Sequence, residues 1–324
     1  MRQRARVGPV PAGARPDRRR LPHRSPLGVL RGRAQVTDEL TAVRSKSSRT
    51  SRRIGTFIIY VLLAIVGISC FVPFLWLLRS SLMNTAQIFS TPPEWIPNPI
   101  ELGNFSGALE AQPFVRYFLN TVLIVCLVIP GVLLSTSAAA FSFARLLWRG
   151  KKIVFGAVMS SLLLPWAVTL VPTYIMWQNL GLVGTYAPLT VPAFFAAGAG
   201  FNIFLLRQFF QQIPIELDNA VYVDGGTPWT VYSRVILPLN KGPLSLVAIF
   251  TIIATWNDLL GPLIYITDPD TYTMSQGLAA FRGLYVSQWG YLMAASILVI
   301  LPIIVLFAFA QRYIMEGVAL TGLK

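Results

Sequence analysis

The sequence predicts an all-α polytopic membrane protein with six transmembrane helices, and three observations carry that prediction. Charged residues make up 12% of the 324 residues and apolar ones 54%, whereas a water-soluble domain carries about 25% charged residues. Apolar runs of about 20 residues, the length an α-helix needs to cross a hydrocarbon core of about 30 Å, recur along the chain. Lys and Arg gather in the N-terminal tail and in alternate connections between those runs, the asymmetry that sets orientation in a bilayer.

The tail, residues 1–53, holds fifteen Lys or Arg against Asp17, Asp38 and Glu39, and so carries twelve of the net +14 charges. It is rich in Arg, Pro, Gly and Ser without apolar periodicity, which reads as a disordered basic cytoplasmic tail beside anionic lipid rather than a nucleic-acid binder. The transmembrane domain follows over 54–324. Its first span is expected over 54–78. Ser51-Arg52-Arg53 faintly resembles a twin-arginine export signal, but the apolar run continues through Cys70 to Trp76, too long for a cleaved signal. Further spans are expected over 118–143, 153–177, 189–206, 244–266 and 291–310. Arg145, Arg149, Lys151 and Lys152 fall between the second and third, and Arg207, Arg234 and Lys241 between the fourth and fifth, against Arg79, Arg116 and Arg282 in the other loops. Both termini are therefore expected in the cytoplasm. Pro130, Pro165, Pro262 and Pro302 interrupt four of the spans.

Side-chain catalysis and metal binding are not expected. The single histidine, His23, lies in the tail, so neither a multi-histidine metal site nor a serine–histidine triad is available. Cys70 and Cys126 lie within apolar runs and read as packing residues.

The connection between the fourth and fifth spans is too patterned for a plain linker. It reads Ile213-Pro214-Ile215-Glu216-Leu217-Asp218-Asn219-Ala220-Val221-Tyr222-Val223-Asp224-Gly225-Gly226-Thr227-Pro228-Trp229. Pro214 suits the first turn of a short helix, and Gly225 or Gly226 can supply the left-handed residue that ends it. Thr227 then suits an N-cap with Pro228 behind it, followed by Trp229, Tyr232, Val235 and Ile236 at helical spacing. Two short helices meeting at a glycine corner make a rigid protrusion, which either docks into a partner's groove or lies on lipid as an amphipathic hairpin.

This stretch resembles the EAA loop of permease subunits of ABC importers, whose hallmark is Glu-Ala-Ala, three residues, then Gly. Asp218, Asn219 and Ala220 stand at the Glu-Ala-Ala positions and Asp224-Gly225 at the Asp-Gly step, with Glu216 and Gly226 flanking them. Asp218 keeps a shorter carboxylate, and Asn219 departs from the small apolar residue. Trp256-Asn257-Asp258, and Gln311-Arg312 followed by Gly317 and Gly322, resemble the carbohydrate-uptake branch, so that the likeness covers 54–324. The resemblance implies a second homologous permease, an ATPase dimer, an extracytoplasmic solute-binding protein and a sugar substrate. No cofactor is expected on this chain, ATP and Mg belonging to the ATPase. The sequence agrees, since it contains no G-x-x-x-x-G-K-[ST] phosphate loop.

Asp258 lies in the expected fifth span, where a charged side chain costs about 2.5 to 3.5 kcal/mol on insertion scales and so faces protein or water. With Trp256 and Asn257 it offers an aromatic face and hydrogen-bonding groups that would suit a sugar pathway. A structural bond between helices, or a place at the span's end, accounts for it equally well. An importer for a non-sugar solute and a proton-coupled secondary transporter are the other functions the sequence admits.

The tail lies outside the family likeness, and a later start at Leu30 or Val36 is an alternative that intact-mass measurement would decide. Deletion of residues 2–45 is expected to leave uptake unchanged at equal membrane abundance; loss of uptake would show that the tail has a role in transport.

Overall fold

The protein is described by a computed structural model over residues 27–284 and 288–319, with side chains over 53–279 and 288–311. All regular elements in that range are helical. The chain divides after Phe71 into two compact units. The first is the leading part of α1 (Leu27–Ser81), whose span-forming portion is Arg53–Ser81. The helix thus starts well before residue 54, while residues 1–26, the rest of the tail expected to be disordered, lie outside the described residues. Gly322 lies outside them too, and Arg312 and Gly317 fall where only the backbone is described.

In the second unit the short helices α2 (Thr85–Ile88) and α3 (Gly103–Ala111) lead to α4 (Phe114–Ala144), the second span. The expected third span is broken into α5 (Lys151–Ser161) and α6 (Trp166–Asn179), bent by 98° at Pro165. Proline lacks the N–H that would continue the ladder and clashes with the preceding turn. The fourth span, Ala187–Gln212, comprises α7 (Ala187–Thr190), a 3₁₀ segment, a loop with Ala196 and Gly198 at positive φ, and α8 (Gly200–Gln212).

The hairpin helices α9 (Ile215–Val223) and α10 (Pro228–Val231) follow, then a π-turn over Tyr232–Ile236 and α11 (Leu237–Leu239). The widened turn accommodates Pro238: Leu237 N–H reaches back to Tyr232 O, keeping the ladder closed beside a residue that cannot donate. α12 (Lys241–Asn257) leaves this region at a bend of 77°. The expected fifth span stops at Asn257, Asp258 is extended, and α13 (Leu260–Tyr265) resumes beyond it. Asp258 therefore sits in a break rather than mid-helix. Helix α14 (Met274–Leu284), which the periodicity did not reveal, precedes α15 (Trp289–Ala319), the last span.

Among the described residues, four helices are long and apolar enough to cross a membrane, and the two bent pairs raise the number to six if each pair is one span. Pro130 and Pro302 stay inside long continuous helices, whereas Pro165 caps α6 at the break and Pro262 lies in the first turn of the short α13. Two buried clusters hold the second unit together. Ile124, Val128, Phe141, Leu206, Phe210, Ile236 and Val247 join α4, α8, the π-turn and α12. Phe114, Tyr117, Val125, Trp256, Met274, Ala294 and Val299 join α4, α12, α14 and α15. Cys70 and Cys126 do not pack inside, being free and exposed on apolar helices.

Candidate functional site: the loop hairpin and the interrupted-helix cavity

Helix α9 starts behind Pro214 and ends in a Schellman turn, with Gly226 N–H donating to Val221 O at 2.8 Å and Gly225 N–H to Tyr222 O at 3.1 Å. Gly225 takes φ +77°, the left-handed corner read from the glycine pair. Gly226 is needed for close approach instead, since a Cβ there would fall 2.4 Å from Val221 Cγ1. Thr227 caps α10 in a capping box with Thr230, and Pro228 opens the helix, as its sequence indicates.

The base of the hairpin is locked to the end of α4. Tyr232 packs its ring on Phe141 at 5.2 Å and shares a 2.7 Å hydrogen bond with Ser137 Oγ. Arg145, at the C-terminus of α4, donates from Nη2 to Ile213 O at 2.6 Å, and Arg207 Nε donates to Phe143 O at 3.2 Å. Asp218 is 1% exposed, its Oδ2 lying 3.5 Å from Arg145 Nε. Asp218 Oδ1 and Arg145 Nε have no hydrogen-bond partner, so charge rather than hydrogen-bond geometry holds this pair. Burial pushes the Asp218 carboxyl above its ordinary range, with Arg145 pulling it back down.

A contact between Asp218 and a basic group on a separate subunit is not available in this conformation, because the carboxylate is turned into the chain toward Arg145. Glu216, Asn219, Ala220, Asp224 and Gly225 are exposed. Beside them the tip presents apolar surface: Val223 is 86% and Trp229 70% exposed, with Tyr222 also open. Arg145 counted in the sequence only as a topological charge. Its partnership with Asp218 crosses too much chain for spacing to reveal.

A second feature lies within the spans. A cavity of about 710 Å³ is lined by Thr121 and Ile124 of α4, Trp166, Leu189, Gly198, Ala254 and Thr255 of α12, Asp258, Leu260, Gly261, Pro262 and Thr273. Trp166 follows the break in the third span, Gly198 lies in the break of the fourth, and Asp258 occupies that of the fifth. Three interruptions thus open on one space. A smaller cavity of about 290 Å³ shares Gly198, Ala254 and Thr255 with it.

Of the three residues singled out in the fifth span, only Asp258 lines the cavity. Its Oδ1 accepts from Gly261 N–H at 3.1 Å, capping the start of α13. Trp256 turns the other way, buried, with Nε1 donating to Val299 O at 3.1 Å and its ring edge-on to Phe118. Asn257 bonds back to Ile253 O at 2.8 Å within its own helix. The aromatic ring that does line the cavity is Trp166, and the signal for it was Pro165, which marks the break.

A model of the family described as "Binding-protein-dependent transport system inner membrane component" matches residues 100–319. The chain belongs to this family. It is thus a multi-pass plasma-membrane permease of the ABC transporter class, a translocation subunit and not an enzyme. The permease is 33% identical over 293 residues to "Probable ABC transporter permease protein YurM" of Bacillus subtilis, covering 89% of this chain and 95% of that one. It is 30% identical to the diacetylchitobiose uptake system permease protein NgcG of Streptomyces coelicolor, covering 85% of this chain and 91% of the relative. Its fold is similar to that in a crystal structure of a bacterial ABC transporter involved in importing the acidic polysaccharide alginate. The TM-score is 0.70 at 19% identity, over 81% of this chain and 97% of the other.

Removing one partner of a buried ion pair costs about 3–5 kcal/mol, because the other charge is left uncompensated. Arg145→Ala is therefore expected to lower the thermal midpoint of the solubilised permease. Asp218→Asn differs, because burial already outweighs Arg145's attraction for the carboxylate and Arg145 keeps its hydrogen bond to Ile213 O, so this variant is expected at or above wild type at neutral pH. A raised carboxyl pKa means that the fold favours the protonated form, so this group's contribution is best at low pH and declines as pH rises through 3.8 and on to the raised value. The gap between Asp218→Asn and wild type should consequently close on acidification. Equal damage from both variants at neutral pH would instead mark the ionised pair as stabilising.

Proposed function

We propose that this permease forms half of the translocation pathway of an ATP-driven, binding-protein-dependent sugar importer, and that its α9–α10 hairpin docks into a separate ATPase. In this reading the six spans leave both termini and the hairpin in the cytoplasm. The single observation that carries it is the hairpin's division of labour: a base fixed to α4 through Arg145, Tyr232 and Asp218, and an exposed apolar tip at Tyr222, Val223 and Trp229. An apolar tip on a rigid helical corner fits a partner's cleft, and a fixed base moves with the helices behind it. The other chains would be a second homologous permease, the ATPase dimer holding ATP and Mg, and an extracytoplasmic solute-binding protein.

A sugar as substrate is supported by the chemistry of the cavity. Trp166 offers an aromatic face and Asp258 a carboxylate, beside the hydroxyls of Thr121, Thr255 and Thr273. The relative NgcG is named for diacetylchitobiose and the structural neighbour for alginate, both saccharides. Asp258 on the cavity wall, and not between packed helices, is placed to meet the passing solute.

The hairpin is tested by co-purifying the permease pair with its ATPase and measuring complex yield and binding-protein-stimulated hydrolysis. Gly225→Asp puts a Cβ at φ +77°, at a cost of about 1–2 kcal/mol, and adds charge at the tip. Complex yield and stimulation should fall while the membrane helices stay inserted; normal values for both would defeat the docking assignment. For the pathway, Asp258→Asn is expected to lower uptake with assembly and ATPase stimulation unchanged. A displaced pH profile of uptake would point to proton coupling instead.

A further inference from the structure

The loop between α1 and α3 is held by its contacts against the C-terminal end of the first span. Its ends close on one another, Glu101 N–H donating to Leu82 O at 2.9 Å, and Asn104 Nδ2 ties the far end to Ser81 O and Met83 O, each at 2.9 Å. The excursion therefore begins and finishes at the end of the first span. From there it turns back along the helix. The Trp95 ring stands edge-on to Trp76 with centroids 5.9 Å apart. Trp76 lies five residues before Ser81, the last residue of α1, and a helix rises 1.5 Å per residue, so this contact is about 7.5 Å inside the helix end.

Arg79 clamps the return. Its guanidinium lies 4.4 Å over the Trp76 ring, and its Nε donates to Glu94 O at 2.6 Å, immediately before Trp95. On the other flank Phe89 meets Trp289, the first residue of α15, edge-on at 5.5 Å. Between these anchors the loop buries little of its apolar surface: Trp95 is 72% and Ile96 80% exposed, with Ile100 and Leu102 open as well. This surface is continuous with the exposed Leu75, Trp76 and Leu78 of the span itself.

We propose that the 89–102 segment is an interfacial foot, inserted at the boundary of headgroups and acyl chains, with lipid as the partner of Trp95, Ile96, Ile100 and Leu102. Tryptophan favours that zone because its ring is apolar at one end and hydrogen-bonding at the other. An apolar loop held beside a transmembrane helix below the helix's own end meets lipid before it meets water. The foot would hold the end of the first span, at Trp76 and Arg79, at that depth.

The test uses the full-length permease, purified with the subunits that accompany it and reconstituted in vesicles of phosphatidylcholine and phosphatidylglycerol. With Cys70 and Cys126 replaced by Ala, a nitroxide is attached at Trp95→Cys or Ile96→Cys, and at Ile65→Cys as a reference within the span. Both loop labels should collide more with oxygen than with a water-soluble nickel chelate, giving a positive depth parameter smaller than that at the reference. Collisions dominated by the nickel chelate would overturn the proposal in favour of an aqueous loop open to a soluble partner. Low collision rates with both reagents would overturn it in favour of burial against another subunit. Should Trp95→Cys fail to assemble through loss of the Trp76 contact, the label at exposed Ile96 decides alone.

Discussion

A hydrocarbon core supplies no water to satisfy a free N–H or C=O, so a chain crossing it stays helical except where protein or a wet cavity takes over that role. Three departures from regular helix in the spans of this permease answer to that constraint. The third span breaks at Pro165, the fourth loosens around Ala196 and Gly198, and the fifth stops at Asn257. All three breaks contribute residues to the same 710 Å³ space. Asp258 shows how one residue serves both purposes, its carboxylate capping the Gly261 N–H that the break exposes while lying on the cavity wall. The cavity and the set of interrupted helices are thus two descriptions of one arrangement.

The hairpin obeys a different logic, since it is built from local signals and then fastened by long-range ones. Its corner needs only Gly225 in the left-handed region and Gly226 without a side chain, both properties of the residue type. The fastening comes from α4: Ser137, Phe141 and Arg145 lie along it at spacings of four residues, one face of a helix. Asp218 completes the contact from the other side. A buried ion pair is a poor source of stability, because desolvation offsets its attraction, but it specifies which helices meet. The 3.5 Å separation and the two unpaired atoms leave this one room to shorten.

What could be read from the sequence follows the range of the interactions concerned. The span count, the glycine corner, the Thr227 cap and Pro228 at the helix start depend on a few neighbouring residues, and the structure places the corner and cap as expected. Continuity of the spans was misjudged because hydropathy registers apolar content and not backbone path: the stretch 153–177 is apolar throughout yet bends by 98°. The same limit misassigned Trp256, whose indole direction depends on Val299 in another helix, and hid Trp166, which became accessible only once the break at Pro165 was known. The burial of Asp218 against Arg145 could not be read from the sequence, because nothing in its neighbourhood announces Arg145. Helix α14 escaped notice because its 11 residues are too few to register as an apolar run of span length, and its packing partner Tyr117 lies far along the chain.

The two features of the site are mechanically joined, and the helices that join them are stiff. α12 runs from Lys241, directly after the hairpin, to Asn257 at the edge of the cavity, 17 residues or about 26 Å of helix. α4 makes the same connection in the other direction, carrying Arg145 against Asp218 at one end and Thr121 and Ile124 on the cavity wall toward the other. Packed helices move as rigid bodies and have few intermediate arrangements, because interiors at native density do not deform continuously. In the proposed reading, a displacement imposed on the hairpin would reach Asp258 and Thr255 through α12 and Thr121 through α4. The cavity lies between those two helices. A change in their relative angle would alter its width without any residue of the wall having to unfold, and the breaks at Pro165 and Asp258 lie where the adjoining segments would turn.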